Sequence, residues 1–343
     1  MPECLDSARP EAIDRAADRL HAGSLVAFPT ETVYGLGADG LNPQAVQKIF
    51  AAKGRPADHP LILHVAARER AKALAAEWPT EADRLAQAFW PGPMTLILKR
   101  AAHVPDAVTG GQDTVGVRMP AHPVAIALLS AFERIGSGVV AAPSANRFGG
   151  VSPTRASDVV QSLGDRLDDH DIILDGGDCA VGVESTIVDL SGEQPRILRP
   201  GGVSRTEIER VLDVPLAMGP SVRDAAVPRV SGSLESHYAP SANTLLVNRS
   251  EFLNAVARCR ETNLHASPTI VCLVMDPSLI VALSALPGMT CMRMPGDPAG
   301  YAHDLYARLH DADRLAPQWI VIERPPSDAA WEAVVDRLTR ASA

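Results

Sequence analysis

Four short segments in the first two hundred residues hold the side chains best suited to chemistry: FPTETVYGLG at 28–37, KGR at 53–55, PSAN at 143–146 and GVEST at 182–186. Each sets small hydroxyls or cations just beyond an apolar, strand-like run, which is where an α/β sheet presents ligand groups. Lys53 and Arg55 offer a point charge and a planar fork two residues apart, with Gly54 letting the backbone turn between them, a pair suited to a polyphosphate. Arg118 alternates with apolar residues in TVGVRMP, so a buried guanidinium is expected there. Such a group requires an anion, from a protein carboxylate or from a ligand. Arg199, in LRPGG, is a further cation at a strand end. With the hydroxyls of Thr30, Thr32, Ser144 and Ser185, these groups describe a locally positive pocket for a small polyanion.

Each group also has a plainer reading. Cations past a helix end are favoured by the helix dipole, and Ser, Thr and Asn are ordinary turn residues. His64, at the end of an apolar strand, reads by itself as a core histidine. Gly35, Gly37 and Gly40 satisfy G-x-G-x-x-G, but the helix start signal Asn42-Pro43 comes after the last glycine, whereas in a dinucleotide site the helix opens within the glycines. There is no Walker A sequence and no G-x-S-x-G elbow.

The elements that must position these groups follow from periodicity. Strands are expected at 25–28, 61–65, 95–98, 115–117, 139–142, 172–174 and 186–190, and helices near 44–52, 68–76, 81–88, 124–132 and 155–162. Asn42 and Pro43 open the first of these helices and Gly54 closes it. Several strands follow one another with no helix between, which predicts a twisted mixed sheet flanked by helices. Residues 206–240 become rich in Pro, Gly and Ser and read as a linker, and 219–240 as a cover able to close over a site. From 241 to 343, strand and helix alternate regularly, which predicts a smaller Rossmann-like parallel α/β domain behind a first domain at 1–205.

A chain of 343 residues fits two domains. Its net charge of −9, from 32 Lys+Arg against 41 Asp+Glu, argues against stable direct nucleic-acid binding. Cysteines at 4, 179, 259, 272 and 291 show neither CxxC pairing nor zinc-ligand spacing, so no metal ligands are expected and a reducing cytoplasm is the default. The amino terminus lacks signal-peptide character, and no apolar run is long enough to span a membrane.

Together, FPTETVYGLG, AAKGRP, PLILHV, WPGPMTLIL, DTVGVRMP, AAPSAN, GVESTIVDL and ILRPGG resemble the YrdC-like threonylcarbamoyl-AMP synthases, and HYAP at 237–240 with the last hundred residues resembles the long, two-domain form. The resemblance implies a YrdC-like first domain, and the reaction of L-threonine, bicarbonate and ATP, with Mg²⁺ and no organic cofactor, to threonylcarbamoyl-AMP and pyrophosphate. It implies that a separate tRNA threonylcarbamoyltransferase complex uses the product. By position, it places Thr32, His64, Arg118, Ser185 and the backbone of Ala142 on threonine. Arg55, His59, Thr114, Ser144, Asn146, Ser152 and Arg199 fall on the nucleotide, and Lys53 with Arg55 on the catalytic charge. His59 stands where the family commonly has asparagine. An RNA-binding module and another carbamoyl-adenylate-forming enzyme are the alternatives.

Overall fold

The computed structural model describes residues 1–218, 228–232, 236–261 and 269–343. Most of the expected cover at 219–240 lies outside the described residues. The chain divides into two compact units, Met1–Phe148 with Ser152–Ser233, and Gly149–Val151 with Leu234–Ala343.

Among the described residues of the first unit, eleven strands form one sheet. In chain order they are β1 (Glu3–Asp6), β2 (Val26–Phe28), β3 (Gly35–Asp39), β4 (Ile62–His64), β5 (Met94–Lys99), β6 (Thr114–Arg118), β7 (Val140–Ala141), β8 (Ile172–Asp175), β9 (Thr186–Asp189), β10 (Arg196–Arg199) and β11 (Ala217–Met218). Their spatial order is β1-β8-β2-β3-β7-β4-β6-β5-β9-β10-β11. The sheet is mixed, as expected: β4 runs parallel to β6 and antiparallel to β7, while β5 runs antiparallel to β6 and parallel to β9.

Side chains alternate between faces along a strand, and this alternation decides what each face becomes. Leu61, Leu63 and Val65, Met94, Leu96 and Leu98, Val115 and Val117, and Val188 all enter one core, roofed by residues of helices Pro43–Lys53, Thr80–Phe89 and Ala156–Leu163. On the opposite face, helices Pro10–His21 and Pro123–Ile135 cover only the half built by β2, β7 and β8. The other half of that face carries the intervening residues: Ile62 and His64, Thr95 and Ile97, Thr114, Gly116 and Arg118, and Ile187.

Strands β1, β3 and β11 and helices Pro10–His21 and Asp106–Thr109 are additions to the expected elements. Helix Pro10–His21 has four buried positions, three of them alanines (Ala12, Ala16, Ala17) beside Leu20; they recur at helical spacing on one face, although the stripe is mostly alanine. Residues 35–39, read as a glycine-rich stretch, form β3 in the middle of the sheet. Their glycines serve close packing: a Cβ on Gly37 would lie 2.8 Å from Phe28 and 2.9 Å from Val140, and one on Gly40 would lie 2.6 Å from Leu63.

The second unit is a four-stranded parallel sheet in the order β12-β15-β13-β14, with β12 Asn243–Val247, β13 Ile270–Val274, β14 Met289–Arg293 and β15 Trp319–Glu323. Helices Phe252–Glu261, Pro277–Ser284, Pro298–Arg314 and Glu332–Ala341 alternate with the strands, as the Rossmann-like pattern requires. No helix among the described residues is long and apolar enough to cross a membrane.

Candidate active site

The half of the sheet face that helices Pro10–His21 and Pro123–Ile135 do not roof is organised around one strand, and most of its residues are buried all the same. β6 presents Thr114 at its start, Gly116 at its middle and Arg118 at its end, so these three positions span roughly 13 Å along one line. Gly116 keeps the middle shallow: a Cβ there would meet Ile97 at 3.1 Å and Ile62 at 3.5 Å. A small cavity lies over this point, bounded by Ile62, Ile97, Thr114, Gly116, Ile187 and Val230.

At the Arg118 end, His64 is its register partner on β4. Arg118 is 4% exposed, and its Nη2 donates to Glu31 Oε1 at 2.7 Å and to Thr32 Oγ1 at 2.9 Å. Its Nε–H is buried and has no partner. Of the two anions the sequence left open for this cation, the structure shows a protein carboxylate, Glu31. Glu31 and Thr32 reach the site because the chain turns between β2 and β3, a turn tied by Thr30 Oγ1, which donates to the Val33 carbonyl at 2.7 Å. Since the one proton of Thr30 is committed there, Thr32 is the donor in the 2.8 Å contact between their hydroxyls. Thr32 also accepts from Arg118, so it can offer a ligand only an acceptor lone pair.

His64 is buried, sets its ring edge-on to Phe28 and donates from Nδ1 to the Ile62 carbonyl at 3.2 Å. Burial, and then the Arg118 charge, push its pKa down to about 3 against the opposing pull of Glu31, so the ring is neutral at physiological pH. Next along the sheet, Thr95 and Ser185 share a 2.8 Å hydroxyl contact. Arg199 donates to the Ser185 carbonyl at 2.9 Å, to Ser185 Oγ at 3.2 Å and to the Ser231 carbonyl at 3.0 Å. Arg199, expected on the nucleotide, thus braces a residue expected on threonine. Ala142 donates its backbone N–H to Ile62 at 3.0 Å, which sets its strand edge beside His64.

The opposite end gathers the remaining cations. The Asn42 side chain caps helix Pro43–Lys53 and Gly54 ends it with φ of 64°, a conformation suited to glycine. Lys53, at its last turn, points Nζ at the Ser144 carbonyl (2.7 Å) and the Asn146 carbonyl, holding the PSAN loop from behind. Burial, and then the neighbouring Arg55, lower the Lys53 pKa well below the ordinary lysine value. Arg55 donates to the Pro60 carbonyl at 3.0 Å and lies over the Phe148 ring, whose edge-on neighbour is His59. Ser152 does not lie at this end: it donates to the buried carboxylate of Glu184, beside Ser185, at 2.6 Å. Residues 229–231 cross this end: Arg229 pairs with Asp58 at 3.1 Å and Val230 packs against Ile97, Ile187 and Leu198.

Sequence reasoning had no assigned role for Glu31 or Thr95. Thr95 was traceable in MTLILK, where it is the polar position facing away from Met94 and Leu96, but its partner Ser185 is 90 residues distant.

A family model for Sua5/YciO/YrdC proteins, described as "Telomere recombination", matches residues 18–201. The chain belongs to the Sua5/YciO/YrdC family. A second model, described as "Threonylcarbamoyl-AMP synthase, C-terminal domain", matches residues 203–343, which makes this the long form of the family. The chain is 49% identical over 236 residues to a threonylcarbamoyl-AMP synthase of Pyrococcus abyssi, covering 68% of this chain and 66% of that protein. It is 44% identical to one of Bacillus subtilis, covering 67% of this chain and 65% of that protein. These alignments span slightly less than two thirds of those relatives' lengths. Among solved structures, P. abyssi Sua5 complexed with L-threonine matches with a TM-score of 0.86 and 36% identity, covering 100% of this chain and 97% of that one. E. coli YciO, at 22% identity and a TM-score of 0.51, shares the fold over 61% of this chain.

Proposed function

We propose that this Sua5-family chain is an L-threonylcarbamoyladenylate synthase, joining L-threonine, bicarbonate and ATP into threonylcarbamoyl-AMP with release of pyrophosphate. The observation that carries the reading is Arg118, a buried cation whose charge is balanced by Glu31 and whose Nε–H still lacks an acceptor. An amino-acid carboxylate supplies that acceptor. Beside it, Thr32 accepts from the substrate amine or hydroxyl, and a neutral His64 brings no competing charge. The hydroxyl contact requirement discriminates against valine, while a methyl pocket separates threonine from serine by only about 1–3 kcal/mol.

The threonine amine and bicarbonate first give a carbamate with loss of water, and a carbamate oxygen then attacks the α-phosphate of ATP as pyrophosphate leaves. Both reactants are anions, so the chemistry depends on position and on charge stabilisation. Arg55, His59, Thr114, Ser144 and Asn146 are assigned to the nucleotide, at the far end of β6 from Arg118, and Ser152, hydrogen-bonded to Glu184 beside Ser185, is assigned to it as well. Lys53 acts at that far end by fixing the Ser144–Asn146 loop, and Arg199 by fixing Ser185. Mg²⁺ is assigned as the counter-ion of ATP and so as part of the substrate. The product is assigned to a separate tRNA-modifying transferase complex, and the five free cysteines fit a cytoplasmic setting.

The test is pyrophosphate release from ATP with threonine and bicarbonate omitted in turn. Release is expected to stop in both omissions; release that persists without threonine refutes the assignment.

A further inference from the structure

We propose that Glu31 is a positioning residue of the amino-acid site: it fixes the Arg118 guanidinium, whose Nε–H has no protein acceptor, in place for the substrate carboxylate. The inference rests on the assignment of L-threonine to this site. Glu31 is 7% exposed and ties three separate segments together. Its Oε1 accepts from Arg118 Nη2 at 2.7 Å, its Oε2 accepts from the Ala121 N–H at 2.9 Å, and its backbone carbonyl accepts from the Val181 N–H at 2.7 Å. The turn after β2, the end of β6 and the segment leading to Ser185 therefore meet at one residue.

Two consequences follow from this arrangement. First, both carboxylate oxygens are engaged, so the anion is held on two sides and Arg118 cannot swing without breaking a buried ion pair. Burial raises the Glu31 carboxyl, but the Arg118 charge and hydrogen bond, with the Ala121 N–H, outweigh it and hold the group below the usual carboxylate range, so the pair stays ionised at neutral pH. Second, the pair is neutral overall. An unbalanced buried guanidinium would attract the phosphates of ATP as strongly as a carboxylate; with Glu31 behind it, the remaining Nε–H suits one singly charged acceptor. The polyphosphate is left to the Arg55 end, about one strand length away.

The experiment is calorimetric binding of L-threonine and of ATP to the wild-type chain, Glu31→Gln and Glu31→Asp, with unfolding temperatures measured alongside. Glu31→Gln keeps the shape and removes the charge. Its threonine Kd is expected to rise about tenfold or more while the ATP Kd stays within about twofold. Glu31→Asp keeps the charge on a shorter arm and is expected to fall between wild type and Glu31→Gln, which also serves as the readout should Glu31→Gln fail to fold. An unchanged threonine Kd, or threonine and ATP affinities falling together with the unfolding temperature, overturns the positioning role. Wild-type protein that binds no threonine overturns the amino-acid reading itself, a result distinct from either.

Discussion

The two ends of β6 hold their cations by different means. At the Arg118 end a guanidinium faces a carboxylate and a hydroxyl, in a cluster of side chains drawn from four strands and one turn. At the Lys53 end an ammonium faces two backbone carbonyls, and Arg55 a third. A side-chain partner fixes the direction of a charge, whereas a carbonyl partner fixes the course of a loop. On the proposed assignment, the first end recognises one acceptor and the second holds the Ser144–Asn146 loop in shape for a larger ligand.

Substitutions at each end break or sharpen this contrast. Arg118→Ala leaves Glu31 buried without its counter-charge and is expected to destabilise the fold by about 3–5 kcal/mol, read by denaturant unfolding, and to abolish threonine-dependent pyrophosphate release. Lys53→Met removes two charge-assisted bonds to carbonyls. It is expected to cost about 2–3 kcal/mol and to weaken ATP binding while threonine affinity changes by less than about twofold. Equal losses for both ligands would erase the distinction between the ends.

His64 sharpens the contrast through pH. Its folded pKa, about 3, lies below the ordinary value of ~6.5, so the unfolded chain takes up the proton first. The stability tied to a neutral His64 is present above the ordinary value and is lost as pH falls from there toward 3. Between pH 7 and 5 this amounts to about 2 kcal/mol, and His64→Gln is expected to flatten that part of the unfolding profile. The smallest effect is expected at Thr30→Val, which releases the orientation of the Thr32 hydroxyl: about 1 kcal/mol, seen as a rise of roughly fivefold in threonine Kd with ATP Kd unmoved.

Much of this was legible in the chain. The strand at 61–65 and that at 115–117 were readable because leucine and valine recur at every second position, and the same alternation implies that His64 and Arg118 leave the core on the other side. The helix at 44–52 was readable from Asn42-Pro43 and Gly54. Helix Pro10–His21 is legible in its spacing as well, although its buried face is mostly alanine. Strand β3 is not: the reason for Gly37 lies in Phe28 and Val140, and that for Gly40, just past the strand, in Leu63.

The sequence by itself determined the alternation of faces, the helix caps, the order of strand and helix in the last hundred residues, and the need of Arg118 for an anion, because each depends on neighbours within a few positions. Only the tertiary structure decided that Glu31 is that anion, that Lys53 holds a loop, and that Arg199 braces Ser185. Those pairings join residues 87, 91 and 14 positions apart, and strand order, which brings them together, is set by burial across the whole sheet.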